Sequence, residues 1–152
     1  MTIKHVTLDS NVLVYAVDVH DRKKQNAAVE IIDAAIRGRC PLALQAVAEF
    51  YRASRKIDLA APVALARVQA MLAAFPTFAH SRTSIAEGAR LAARTQFSFW
   101  DAVLLASAEE AGCTIMLSED MGDGARLGNI TVRNPFGAKG LSDAAKEALG
   151  VA

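Results

Sequence analysis

Cysteine is scarce in this chain: two residues in 152, Cys40 and Cys113. Neither has a CxxC partner or metal-ligand spacing, which excludes a disulfide framework and a cysteine-based metal centre. Each stands just before an apolar run, the position of a small buried hydrophobe, and both are expected to remain reduced thiols. Charge of one sign is lacking too. Lys and Arg number 17 against 16 Asp and Glu, a net charge of +1, so no bulk basic field advertises nucleic-acid binding. No apolar run approaches the roughly 18–20 residues of a membrane span. The segment Met1-Thr2-Ile3 leads straight into a strand pattern with no signal-peptide layout, so a cytoplasmic location is the default expectation. Internal repeats and low-complexity linkers are also absent.

What is present is apolar character. Hydrophobic residues make up 53% and mean hydropathy is +0.22. That is rich for a small monomer, so part of the surface is expected to be covered by a partner. A homodimer and a partner-binding groove are both expected, on helices within Gln45–Ala74. There Ala60, Ala61, Ala64 and Leu65 allow close helix approach. Two local basic runs, Arg22-Lys23-Lys24 and Arg52, Arg55, Lys56, read first as solvated helix faces.

The pattern along the chain alternates. Lys4–Leu8 reads as a buried strand and Ser10–Val17 as a short helix. Asp21–Arg37 is a long helix with Ala28, Ile31, Ile32, Ala35 and Ile36 on one face, stopped by Gly38. Pro41–Leu44 is a short strand, and Gln45–Lys56 is helical. Pro62 opens a helix that runs to about Ala74, and Thr77–His80 is a third strand. Ser84 with Glu87, then Ser98 with Asp101, form capping boxes for two more helices. Thr114–Leu117 is the fourth strand, Ser118–Gly128 a polar loop and Asn129–Arg133 the fifth strand. This alternation predicts an α/β fold with a parallel sheet covered on both faces. Residues 1–136 carry it. Residues 137–152 form a weakly patterned tail, with a short and mobile helix expected over Ser142–Leu149.

Four acids fall where such a fold gathers functional groups. Asp9 closes the first strand, Glu49 lies in the helix after the second, Asp101 opens a helix and Asp120 follows the fourth strand. In open α/β sheets ligands bind at the carboxyl ends of the strands. Converging carboxylates repel, so they coexist only with a cation or with protonation. Hard oxygen donors select Mg²⁺ or Mn²⁺. Such a site suits cleavage of a phosphodiester by metal-activated water. Each acid also has a purely structural reading: Asp9 as a helix N-cap, Glu49 as a surface partner of Arg52, Asp101 as the third residue of a capping box, and Asp120 as a turn residue.

The order and context of these pieces resemble a PIN-domain ribonuclease, and within that family the VapC-type toxins of toxin–antitoxin pairs. The matching segments are Asp9-Ser10-Asn11-Val12-Leu13, Ala48-Glu49-Phe50, Phe99-Trp100-Asp101-Ala102 and Leu117-Ser118-Glu119-Asp120-Met121, with Val132-Arg133-Asn134-Pro135-Phe136 closing the match. The resemblance implies a three-layer α/β/α fold with strand order 3-2-1-4-5 and a Mg²⁺-dependent RNA-cleaving site. It also implies a cognate antitoxin whose C-terminal part blocks that site. Carried over position by position, Asp9, Glu49, Asp101 and Asp120 take the four acidic places, with Asp9 and Asp101 as direct metal ligands. Asn11 and Ser118 match supporting polar positions. One departure stands out. Where the family often has a further acid two residues after the fourth, this chain has Gly122, and Asp123 follows. The last functional acid therefore lies among Glu119, Asp120 and Asp123.

Two other classes remain in view. A phosphotransfer enzyme could use Asp9 as nucleophile, but the second Asp such enzymes want at position 11 is Asn11. A non-catalytic binding module could keep the fold, but it would have no need of all four acids.

Overall fold

The computed structural model describes residues 1–152. The first strand, β1 (Val6–Leu8), is buried at every position, as a strand covered on both faces must be. It leads directly into α1 (Ser10–Tyr15) and then α2 (Arg22–Arg37). Asp21 caps α2 by accepting from the Lys24 N–H at 3.1 Å, and Gly38 ends it. Ala27, Ala28, Ile31, Ala34 and Ala35 form its buried stripe, the i, i+3, i+4, i+7 pattern of an amphipathic helix. Of the five residues expected on that stripe, Ile32 and Ile36 lie at its edge and are only partly covered.

Next come β2 (Leu42–Ala43), α3 (Leu44–Lys56), α4 (Ala61–Ala74) and β3 (Thr77–Phe78), followed by α5 (Arg82–Ala92), α6 (Phe99–Glu110) and β4 (Ile115–Leu117). The chain closes with β5 (Arg126–Leu127), β6 (Ile130–Arg133), the hairpin β7 (Phe136–Gly137) and β8 (Gly140–Leu141), and α7 (Asp143–Leu149).

The α/β class is as expected. The strand order differs from 3-2-1-4-5. The central sheet runs β1-β4-β6-β5, while β2 and β3 pair with each other in a separate two-stranded sheet. The parallel pairings β1–β4 (Val6 opposite Ile115, Leu8 opposite Leu117) and β4–β6 are the expected ones. The expected ladder between the first two strands is missing because β2 is two residues long and turns at once into α3. A side chain substitutes for it: Thr7 Oγ1 donates to the Pro41 carbonyl at 2.7 Å. The loop expected over Ser118–Gly128 ends in β5, which adds an antiparallel edge to β6.

Two further expectations change. The helix α5 is capped by Ser81, not Ser84. Ser84 is its N3 residue, and its hydroxyl accepts the Ser81 N–H at 2.7 Å, closing a Ser–Ser capping box. Glu87 instead pairs with Arg90. The tail is docked, not loose. Ala145, Ala148 and Leu149 are buried, and both β8 and α7 pack on α2. Cys40 and Cys113 are buried free thiols. Desolvation pushes them up to about 12 and about 11, which keeps them unreactive.

Helices α5 and α6 are the most intimately packed pair, and Gly88 is the reason. A Cβ at this position would lie 2.5 Å from Val103 Cγ2 and 2.9 Å from the Val103 backbone nitrogen and Cα. Backbone cannot step aside as a side-chain tip can. Gly88→Ala is therefore expected to destabilise the protein by about 1–3 kcal/mol, outweighing the roughly 1 kcal/mol that Ala gains in helix propensity. Urea unfolding is the check, and a variant as stable as the parent would show that the two helices slide freely.

Candidate active site

Asp9 stands at the carboxyl end of β1, and its backbone N–H extends the sheet by donating to the Leu117 carbonyl at 3.0 Å. Its side chain does two jobs. Oδ1 accepts from the Ser10 N–H at 2.7 Å, so Asp9 is the N-cap of α1. Oδ2 accepts from Ser118 Oγ at 2.7 Å and from Asn11 Nδ2 at 3.2 Å. Ser118 follows β4 directly, so this bond ties together the ends of the two adjacent strands. Asn11 Nδ2 also reaches Asp120 Oδ2 at 3.1 Å, and the Asp120 N–H donates to Ser118 Oγ at 3.2 Å. Asp9, Asn11, Ser118 and Asp120 thus form one hydrogen-bonded web.

Glu49 enters from α3. Its Oε2 accepts from Ser10 Oγ at 3.1 Å and its Oε1 from Gln45 Nε2 at 2.9 Å, one helical turn away. The same Gln45 nitrogen donates to the Trp100 carbonyl at 3.0 Å, tying α3 to the start of α6. Asp101 sits in the first turn of α6, where its N–H donates to Ser98 Oγ at 3.2 Å. The N-cap reading of Asp9 and the capped-turn reading of Asp101 are therefore both correct, and both residues still face the acidic centre.

Desolvation is the dominant force on Asp9. Burial pushes its carboxyl up to about 6, against the pull of the Ser118 and Ser10 hydrogen bonds, and the charges of Glu49 and Asp101 add a smaller push. Asp101 is also raised, first by burial, with repulsion from Glu49 and Asp120 adding to it. Like-charge repulsion, expected from the sequence as the cause of a raised pKa here, is thus the lesser term. None of the four acids is ion-paired. The chain's ion pairs join Asp18 to His20, Glu119 to Lys24, Glu87 to Arg90 and Asp123 to Arg133.

No three acidic, histidine or cysteine side chains meet closely enough to grip an ion as they stand. The donor set nevertheless suits a hard divalent cation: carboxylate, amide and hydroxyl oxygens around a buried negative charge without a cationic partner.

The other two candidates for the last acid are committed elsewhere. Glu119 accepts from Tyr15 Oη at 2.7 Å and pairs with Lys24 at 2.6 Å. Lys24 in turn lies over the Tyr15 and Phe136 rings. Asp123 Oδ1 accepts from Arg133 Nε at 3.1 Å and from the Asn134 N–H at 2.9 Å. Only Asp120 joins the web around Asp9. The basic run Arg22-Lys23-Lys24 divides accordingly: Lys24 is structural, while Arg22 and Lys23 are exposed.

Sequence reasoning missed the roles of Ser10 and Gln45. The i, i+4 spacing of Gln45 and Glu49 was a readable signal. Gln45 Oε1 is the one buried side-chain polar atom without a partner, a cost accepted because the amide nitrogen serves two acceptors at once.

The PIN domain family model matches residues 6–122, well over half of the chain. No curated protein matches it in sequence. Among solved structures, VapC20 of Mycobacterium tuberculosis, described as a toxin that cleaves the sarcin-ricin loop, superposes with a TM-score of 0.64 at 13% identity, covering 76% of this chain and 89% of that one. VapBC2 of Rickettsia felis, bound to a DNA fragment from its promoter, gives 0.62 at 13% identity, covering 85% and 97%. A toxin–antitoxin complex from Klebsiella pneumoniae gives 0.58 at 16%, covering 83% and 95%. At these identities the likeness is one of fold.

The raised pKa of Asp9 makes a pH-dependent prediction. The folded state holds this proton more tightly than the unfolded chain, so the group's relative stabilisation is present below about pH 4 and is lost as pH rises through about 6. Asp9→Asn removes that loss. Without added metal it is expected to be more stable than the parent by about 1–3 kcal/mol at pH 7, with the gap closing towards pH 4. Denaturant midpoints across pH 4–8 check this, and a constant gap would exclude Asp9 ionisation as its cause.

Proposed function

The chain belongs to the PIN domain family, and from that premise we propose that it is a Mg²⁺-dependent endoribonuclease, the toxin of a VapBC-type toxin–antitoxin pair. The observation that carries the reading is Asp9: a buried carboxylate, capped and hydrogen-bonded at the end of β1, beside other acids and without any basic partner. A buried charge of this kind costs several kcal/mol unless it is compensated, and a divalent cation compensates it. Asp9 and Asp101 would hold the ion directly, and Glu49 and Asp120 directly or through water. Mn²⁺ suits the same donors. When bound, the ion would lower the pKa of a coordinated water and offset charge on the phosphoryl oxygens.

The protein's own part is positioning. Ser118 and Asn11 fix the Asp9 carboxylate, and Asn11 holds Asp120 in the same web. Ser10 and Gln45 clamp both oxygens of Glu49. Asp101 is fixed by the capped first turn of α6. Asp123 takes no part in this web, and its bond to Arg133 steadies the end of β6 instead.

A protein partner is supported by α4. This helix is apolar nearly all round, yet Ala64 is its only buried residue, and Val63, Leu65 and Leu72 stand exposed. Beside it, Leu13, Val17, Ile36 and Met71 line an apolar groove between α1, α2 and α4. Such a groove fits an antitoxin segment, with a homodimer covering further apolar surface. No helix is long and apolar enough to cross a membrane, in keeping with a proposed cytoplasmic site of action.

Purified protein freed of any partner is expected to cleave RNA with Mg²⁺ and not with EDTA, and Asp9→Asn or Asp101→Asn to lower the rate by at least about 10³-fold. Cleavage by Asp9→Asn at the parent rate would refute the mechanism. Mg²⁺ is also expected to raise the melting temperature of the parent but not of Asp9→Asn, since only a state that binds the ion is stabilised by it. Glu119→Gln is expected to lose stability and keep most of its activity, whereas Asp120→Asn keeps its stability and loses activity. The reverse pattern would move the fourth acid to position 119.

A further inference from the structure

Beside the acids lies a group of aromatic rings that the folding of the chain does not explain. Trp100 is 50% exposed and Phe99 38%, although both open a helix whose next seven residues after Asp101 are buried. The Phe99 and Trp100 rings meet edge to face, with centroids 5.1 Å apart. His80, from the segment before α5, stands 6.0 Å from Trp100 at a tilt of 56°. Exposing about half of an indole forgoes much of the burial that large aromatic side chains normally supply.

The position of this group is fixed with respect to the acids. Trp100 precedes Asp101 in the chain. Its carbonyl accepts from the Gln45 nitrogen that also holds Glu49. The platform and two of the four carboxylates are thus fastened by one amide, at the expense of leaving Gln45 Oε1 without a partner.

We propose that Trp100, with His80 and Phe99 beside it, is a stacking platform for an unpaired base next to the phosphate held at the acids, so that the substrate is single-stranded or looped RNA. The inference rests on the nuclease reading above and deepens it. A base in a duplex is already stacked on both faces and offers no face to the indole. An unpaired base does, and stacking tolerates any of the four bases. The platform thus supplies what the acids lack: attraction for a ligand whose phosphates they would otherwise repel. The neighbouring residues supply the argument for RNA over a protein segment, because a ligand centred on Asp101 and Glu49 necessarily passes over Trp100.

Trp100 is the chain's one tryptophan, so its fluorescence reports this position alone. The test uses the full-length Asp9→Asn protein with Mg²⁺, which binds without cutting. The probes are single-stranded octaadenylate, the same octamer in a duplex, and an octamer of the same sugar-phosphate backbone without bases. Octaadenylate is expected to quench the indole and to bind more tightly than the other two. By fluorescence polarisation, Trp100→Ala is expected to weaken octaadenylate binding by about 5- to 100-fold, the equivalent of one base–aromatic stack, and Trp100→Phe to restore much of it. The base-free backbone should be indifferent to both changes. Equal binding of octaadenylate and backbone, or unchanged quenching, would overturn the platform and leave the rings to a protein partner. Failure of the nuclease reading looks different: the parent protein would cut no RNA with Mg²⁺, whatever Trp100 does with bases.

Discussion

The placement of one buried carboxylate organises this molecule. Asp9 ends β1, caps α1 and receives the Ser118 hydroxyl from the end of β4. Strand, helix and neighbouring strand therefore meet at a single negative charge. The parallel β1–β4 pairing puts Leu8 opposite Leu117, so the residues that follow, Asp9 and Ser118, emerge side by side. The backbone bond from Asp9 N–H to the Leu117 carbonyl fixes that register. Every other functional group is positioned with reference to this junction: Asn11 within the next turn, Glu49 through Ser10, and Asp120 through Asn11.

The arrangement opposes stability. Burial raises the Asp9 carboxyl to about 6, so at neutral pH the fold carries an ionised group that it would hold more comfortably protonated. Such tension is typical of functional sites, where environments are arranged for chemistry and the rest of the structure supports them. Here the support comes from an almost wholly apolar core built by α2, α6 and the inner strands, and from a close α5–α6 contact that only glycine permits at position 88.

Much of this was legible in the sequence, for physical reasons. The alternation of short apolar runs with 3.6-residue periodicity specifies an α/β fold, and α2 and α6 follow from periodicity and caps. Asp9 and Asp120 were legible because they follow strands directly. The strand order was less so. Whether two short strands form a ladder depends on how many residues are free to pair, and β2 has only two before α3 begins. The cap of α5 was misassigned because Ser81 and Ser84 each begin a plausible motif, and three-residue spacing does not rank them. The clamp on Glu49 by Ser10 involves residues 39 apart in sequence, beyond the reach of any local pattern.

The segment after Asn134 looks dispensable in sequence, yet it is anchored at both ends. Phe136 packs edge to face on Tyr15 at 5.1 Å, beneath the Lys24 ammonium that holds Glu119. Ser142 Oγ donates to the Asn134 carbonyl at 2.7 Å, and Asn134 itself is held by Asp123. With α7 seated on α2, helix α2 binds the terminal segment along its length and the Ser118–Asp123 loop through Lys24. Opening the terminal segment therefore exposes Tyr15, frees Lys24 and loosens the loop that carries Asp120. In the sense of native-state hydrogen exchange, the last seventeen residues and the acidic loop belong to one cooperative unit. The fraying ordinarily expected of a chain terminus would here be transmitted to the site itself.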